Sequence, residues 1–395
     1  MMTEIREACL NMWRIDTHAH LIESYPSLRD QAAMYRHFAT TQSLIDSRVT
    51  AEGCRVLYGH DIGSFLRPDS PDIVFEKAAE LQSKGTWEAI EYALDKAHIE
   101  KQVTFCSFKP ENTRPFANTR GRDRLAYLAY IDEALNSQGD YPCPDFVETG
   151  ETYYSRLCKL LGPLETLDSY LDALDATIDS WRSYGVVGLK TAIAYTSGLA
   201  ISNPTRTEAH AAFSRKNDMT DEHFRIVHDF AFHHVLQACR RNGLPVVIHT
   251  GFQIWGHASL AQANPILLHN ILIDPRYRDL TFVLLHGGNP YVGETTYLAG
   301  MFPNVVLDFT WIGWMTPARF RFALVEWLAT VPHDRMCWGS DCGSAETIAG
   351  INSIMRNLIA DVLEQSVASR TIDEKYAVEF VGNSYRTTSK RVFGV

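Results

Sequence analysis

Short apolar and β-branched runs recur along the chain, each stopping abruptly in polar residues or glycine, at intervals long enough to hold a helix. They cover Met12 to Asp16, Val103 to Ser107, Leu125 to Ile131, Gly185 to Lys190, Pro245 to His249, Thr281 to His286, Val305 to Asp308 and Met336 to Asp341, eight in all. Each is read as a strand, although the third, within RLAYLAYIDEAL, also fits a helix. The intervals carry helix signals. MTDEHFRIVHDFAFHHVLQACRRNGLP opens on Thr220, Asp221 and Glu222, suited to a helix N-terminus, and ends on Arg240, Arg241, Asn242, Gly243 and Pro245. Between them Phe224, Val227, Ala231, Val235 and Ala238 share one face. RFALVEWLATVPHDRMCWGSD repeats the order of helix then strand, and a helical region from about Ala345 closes the chain.

Strands alternating with helices predict a parallel sheet covered by helices, and eight such units predict a (β/α)8 TIM barrel. The first and third intervals exceed one helix each, so helical insertions are expected at about 21–101 and 136–181 within a single domain spanning 1–395. YPCPDFVETGE reads as a loop.

The residue types that close the runs carry the chemistry. The first ends at Asp16, His18 and His20, the fourth at Lys190, the fifth at His249, the sixth at His286 and the eighth at Asp341. In such a barrel these positions meet at the C-terminal rim, where active sites form. Strand side chains alternate, so His18 and His20 point the same way, roughly 6 to 7 Å apart, and two imidazoles at that spacing can chelate one ion. Imidazole and carboxylate together suit zinc or a similar divalent metal, which lowers the pKa of a bound water toward ~7. Asp341 is positioned to take a proton from that water, and Asp16, in step with the histidines, to support them. Alone, HxH or a single strand-end histidine is weak evidence; their repetition at one end of an eightfold pattern is what points to a metal. His223, His228, His233 and His234 fall on the capped helix without an HExxH spacing and are expected to be partly exposed. His257, His269 and His333 have no partner pattern. No GxGxxG, P-loop or GxSxG is present.

Composition narrows the class. Of 395 residues 46% are hydrophobic, enough for a large core. The net charge of −10 comes without a basic stripe, which argues against nucleic acid or an anionic membrane as partner. No apolar stretch approaches the ~18 to 20 residues of a membrane span, and Glu4 and Glu7 stand where a signal peptide would be basic, then apolar. Eight scattered cysteines fit reduced thiols, so a cytoplasmic location is expected. Tyr195, Trp255, Trp311 and Trp314 follow strand ends and are candidates to line a pocket. Arg114, Arg120, Arg122 and Arg124 are candidates to meet a substrate carboxylate, or a solvated loop.

These residues in this order resemble the amidohydrolase superfamily, metal-dependent hydrolases on a TIM barrel. The likeness runs from DTHAH to GNSYRTTSKRVFGV and is closer to the amidohydrolase-2 group. GVVGLKTAIAYTSGL and LLHGGNPY are similar to the branch related to the amidohydrolase domain fused to glutamine-synthetase-like proteins in fungi. The resemblance implies one or two divalent ions, zinc foremost, with His18 and His20 as ligands from the first strand, His249 from the fifth and Asp341 from the eighth. It implies that His286 is a ligand of a second ion or a carbonyl-polarising group. Lys190 would be an N-carboxylated bridge in a two-metal site, and otherwise a free ammonium facing the substrate. The expected function is hydrolysis of an amide, ester or related C–N or C–O bond of a small molecule, with Asp341 and His286 as the catalytic residues. Non-oxidative decarboxylation, uronate-type isomerisation and metal-dependent binding without catalysis are the alternatives, and association into a homo-oligomer is also expected.

Overall fold

The computed structural model describes residues 2–38, 41–65, 71–135, 152–254 and 259–395. Eight parallel strands form one sheet in chain order: β1 (Arg14–Ala19), β2 (Ile99–Cys106), β3 (Leu125–Tyr130), β4 (Val186–Thr191), β5 (Val246–Ile248), β6 (Phe282–Leu284), β7 (Val305–Asp308) and β8 (Met336–Cys337). The ring is nearly closed. Backbone hydrogen bonds from Thr17 N to Trp338 O (3.1 Å), Asp341 N to His18 O (2.7 Å) and His20 N to Cys342 O (2.9 Å) tie β1 and its following loop to the segment after β8.

Strand periodicity sorts the apolar residues into two cores. Ile15, Val103, Leu128, Val247, Val283, Val306 and Cys337 fill the barrel interior, with Phe393 of the C-terminal helix packed among them. Residues of opposite parity, including Leu189, Val246, Ile248, Leu284 and Leu307, pack outward into the larger core shared with the helices. RLAYLAYIDEAL resolves into β3 followed by the short helix Asp132–Leu135, because both faces of LAYLAY are covered.

Four helices lie between β1 and β2: Leu28–Phe38, Thr41–Tyr58, Asp72–Ser83 and Thr86–Lys96. Thr41–Tyr58 runs against Ala345–Ala368, and their backbones touch. A Cβ on Gly53 would sit 1.9 Å from the Glu346 carbonyl oxygen, and one on Gly350 would sit 2.0 Å from that of Val49. Only glycine permits this approach, and it draws the first insertion over the rim near β8.

The helix expected after Thr220 spans Asp221–Asn242, capped by the Thr220 hydroxyl at its start and by Gly243 in the left-handed conformation at its end. Its histidines correct one expectation. His228 and His233 are buried, because each finds polar partners beneath the loop after β4: His228 contacts Ser197 Oγ (3.1 Å) and Asp229 Oδ1 (2.9 Å), while His233 contacts Tyr277 Oη (2.7 Å) and Ser202 O (2.9 Å). The seven described cysteines are free of disulfides. No described helix is long and apolar enough to cross a membrane. YPCPDFVETGE, Trp255 and His257 lie outside the described residues.

Candidate metal centre

The end of β1 carries His18, and His20 follows just past the strand; their ring centroids stand 5.4 Å apart. Asp341 reaches both from the neighbouring segment after β8. Its Oδ1 lies 2.8 Å from His20 Nε2 and 3.2 Å from His18 Nε2, and its Oδ2 lies 4.0 Å from His286 Nδ1. Ligand atoms of His18, His286 and Asp341 all fall within 4.8 Å of one another.

Hydrogen bonds orient His286. The His249 Nε2–H donates to the Phe252 carbonyl (2.8 Å), which leaves His249 Nδ1 as an acceptor for the Nε2–H of His286 (2.9 Å). His286 Nδ1 is therefore the bare nitrogen, buried without a hydrogen-bond partner and facing Asp341. His18 Nδ1 and Lys190 Nζ are likewise buried and unpartnered. Buried polar atoms are nearly always satisfied. Orphaned imidazole nitrogens beside a carboxylate thus fit a divalent ion that prefers nitrogen and oxygen donors. In this arrangement both nitrogens of His249 are engaged, so it stands behind His286 and would have to exchange one contact to reach an ion.

The electrostatics suit the same purpose. Burial holds His18 at about 4 and pushes His249 and His286 well below the usual imidazole range, so all three are neutral, and His18 and His286 offer lone pairs. Burial would raise Asp341, but His18 and His20 outweigh it and keep the carboxyl well below the usual range. Lys190, on β4, is lowered to about 7 by burial, partly offset by Asp341, Asp132 and Asp308.

Outer contacts fix these groups in place. Asp16 does not touch an imidazole. It accepts from the His18 backbone N–H (3.2 Å), Gln102 Nε2 (2.8 Å), Ser340 N (2.8 Å) and Ser340 Oγ (2.5 Å), joining β1, β2 and the loop after β8. Asp308 accepts from Thr17 Oγ1 (2.5 Å) and Thr310 N (2.8 Å). The Trp311 indole stacks on His286 with centroids 4.3 Å apart, Tyr195 packs on His249 at 4.5 Å, and Phe105 packs edge-on against both His18 and His20. His286, Trp311 and Asp341 all adopt positive φ, at 67°, 67° and 57°. Such backbone costs on the order of 1 to 3 kcal/mol per residue and persists where the surroundings over-determine it, commonly at functional sites.

The structure therefore brings together His18, His20, His286 and Asp341, with His249 and Lys190 adjoining. Asp308, Gln102, Ser340 and Phe105 went unremarked in the sequence, although Asp308 closes the seventh run as Asp341 closes the eighth. Trp311 joins the site and Trp314 lines a cavity beside it. Of the arginines, Arg114 donates to Tyr184 O and Arg124 to Asp95 and Ile99 O, away from the centre.

Comparison with known proteins places these residues in context. Residues 168–343 match the amidohydrolase family model. A curated relative, protein fluG of Emericella nidulans, is 31% identical over 182 residues, covering 41% of this chain and 20% of that protein. A protein assigned provisionally as a metal-dependent hydrolase from Lactobacillus casei superposes with a TM-score of 0.73 at 17% identity, covering 100% of this chain and 98% of that one. A uronate isomerase from Thermotoga maritima gives 0.71 at 14% identity, covering 98% and 96%. At such identities the structural likeness establishes the shared barrel. The matched segment contains Lys190, His249, His286 and Asp341, and the barrel sets them against His18 and His20. Over residues 168–343 the chain is similar to the amidohydrolases.

Proposed function

We propose that this protein is a metal-dependent hydrolase cleaving an amide, ester or related C–N or C–O bond of a small molecule. The observation that carries the reading is the convergence of His18, His286 and Asp341, joined by His20, at the C-terminal rim. The proposed ion is zinc, held by His18, His20, His286 and Asp341, with His249 joining by exchange of a hydrogen bond. Lys190 joins only as a carbamate, because a free ammonium has no lone pair to give. When bound, such an ion polarises a carbonyl oxygen and makes water acidic near neutral pH.

The chain's own groups do the rest. Asp341, ionised and flanked by imidazoles, accepts the proton of the attacking water as the new C–O bond forms. It returns that proton to the leaving nitrogen or oxygen as the scissile bond breaks. His286 is fixed by His249 and Trp311 so that its bare Nδ1 stays aimed at the reacting centre. The seven described cysteines, all unpaired, support a reducing compartment and hence a cytoplasmic location.

The test joins elemental analysis and intact mass under non-acidic conditions to product analysis on amide, ester, carboxylate and sugar-acid panels. One or two divalent ions per chain and released amine or alcohol are expected. Two ions with a carbon-dioxide-sized mass gain would make Lys190 a bridging carbamate. Released carbon dioxide or an isomer of equal mass would overturn hydrolysis while keeping the metal centre. Absence of any ion after reconstitution would overturn the centre itself.

A further inference from the structure

His20 and Asp341 line a cavity of about 400 Å³ to which the helical insertion between β1 and β2 also contributes. The insertion contributes a carboxylate, Asp46, and the ring of Tyr35; Tyr25, on the His20 side, and Trp314, from the helix Ile312–Met315 after β7, complete the lining. We propose that this cavity is the substrate pocket and that its Asp46 end takes an ammonium group, so that the substrate is an amine-bearing small molecule. The proposal rests on reading the His18–His286–Asp341 cluster as the reacting end.

Three observations converge. Asp46 is half-buried, and among the described residues only Gln42 Nε2 donates to it, at 2.7 Å to Oδ1, and no lysine or arginine pairs with it. A partly desolvated carboxylate with one neutral donor is undercompensated, and burial raises it to about 6; an arriving cation would supply the missing partner. The aromatic surroundings are the second observation. Carboxylate and aromatic rings together are the combination that binds ammonium, through ion pairing and attraction to the ring faces. Tyr35 is held toward Thr50 Oγ1 (3.1 Å) and Tyr25 donates to the His20 carbonyl, so the rings are fixed before a ligand arrives. Third, no lysine or arginine is among the described residues that line the cavity, so nothing there offers an anionic tail a counter-charge. The insertion is thereby assigned a role: it supplies the carboxylate that sets the specificity of the pocket.

Metal-loaded protein tests this without depending on turnover. Three ligands share a carboxylate for the metal end and differ at the other: 6-aminohexanoate, hexanoate and adipate, measured by calorimetry. The amino compound is expected to bind about 10- to 100-fold more tightly than the other two. In Asp46→Asn that preference should vanish while hexanoate affinity stays within about twofold of the parent, which also reports a folded variant. Adipate or hexanoate binding the parent as tightly as 6-aminohexanoate, a preference that survives Asp46→Asn, or no binding by any of the three would overturn the proposal. Product analysis is separate: carbon dioxide or an isomer as product, with the Asp46-dependent preference intact, would remove hydrolysis and leave this pocket standing.

Discussion

Asp341 shows how much one residue carries here. It is buried, ionised, contacts His18 and His20, faces His286 and sits at positive φ. Replacing it by Asn keeps an oxygen in place but removes the base, so Asp341→Asn should lower kcat by about 10²- to 10⁴-fold with little loss of metal by elemental analysis; unimpaired turnover would refute the assigned role. Gly343, two residues on, has no such chemistry and matters for its lack of a side chain. A Cβ there would stand 2.3 Å from the His20 carbonyl oxygen and collide with the Tyr25 hydroxyl. Because the backbone of His20 would have to move, Gly343→Ala should cost about 1 to 3 kcal/mol in urea unfolding and weaken metal affinity by roughly tenfold or more. An unchanged zinc affinity would show that His20 tolerates displacement. Residues such as His18, Asp341 and His286 were legible in the sequence because each closes an apolar run. Phe105 was not, since an aromatic residue within a strand looks like any other core residue until its ring is seen against two imidazoles.

At the level of elements, helix Asp221–Asn242 does more than cover the barrel. Arg225 donates to the carbonyls of Ser197 and Ala200, and Asp229 accepts from Ser202 N (2.8 Å), Ser202 Oγ (2.7 Å) and Arg225 Nε (3.1 Å). The helix thus holds the loop after β4 that carries Tyr195 to His249. Burial would raise Asp229, but the hydrogen bond and charge of His228, with Ser202 and Arg225, lower it below the usual carboxylate range. A depressed folded pKa contributes stability that is fully present above the unfolded value of about 3.9 and is lost as pH falls through the folded one. Asp229→Asn should therefore cost about 1 to 3 kcal/mol at pH 7, with the gap from the parent narrowing below about pH 4; a gap constant down to pH 2 would exclude the ionic contribution. The caps and apolar stripe of this helix were readable, as were the strand positions. The burial of His228 and His233 was not, because their partners Ser197, Ser202 and Tyr277 come from distant loops that no local pattern reveals.

For the whole molecule, the barrel gathers His18, His286 and Asp341 from distant parts of the chain, and an ion there would bind the folded chain alone. Chelation should lower Tm by several degrees, since a ligand present at 1,000 times its Kd adds about 4 kcal/mol, while far-UV circular dichroism stays near native because the barrel core does not depend on the metal. Loss of secondary structure on chelation would contradict this. The eightfold alternation of strand and helix made the barrel predictable. The cavity lining at Asp46 is not legible in the sequence, because the insertion has no period in common with the barrel and its position depends on glycine contacts with Ala345–Ala368.

The backbone bonds that close the ring also set an order of events during synthesis. His18 and His20 are translated more than 300 residues before Ser340, Asp341 and Cys342, which hold them. Until that last stretch emerges, the growing chain has imidazoles without their carboxylate and a sheet without its final strand. The candidate metal centre is thus assembled only when the barrel is.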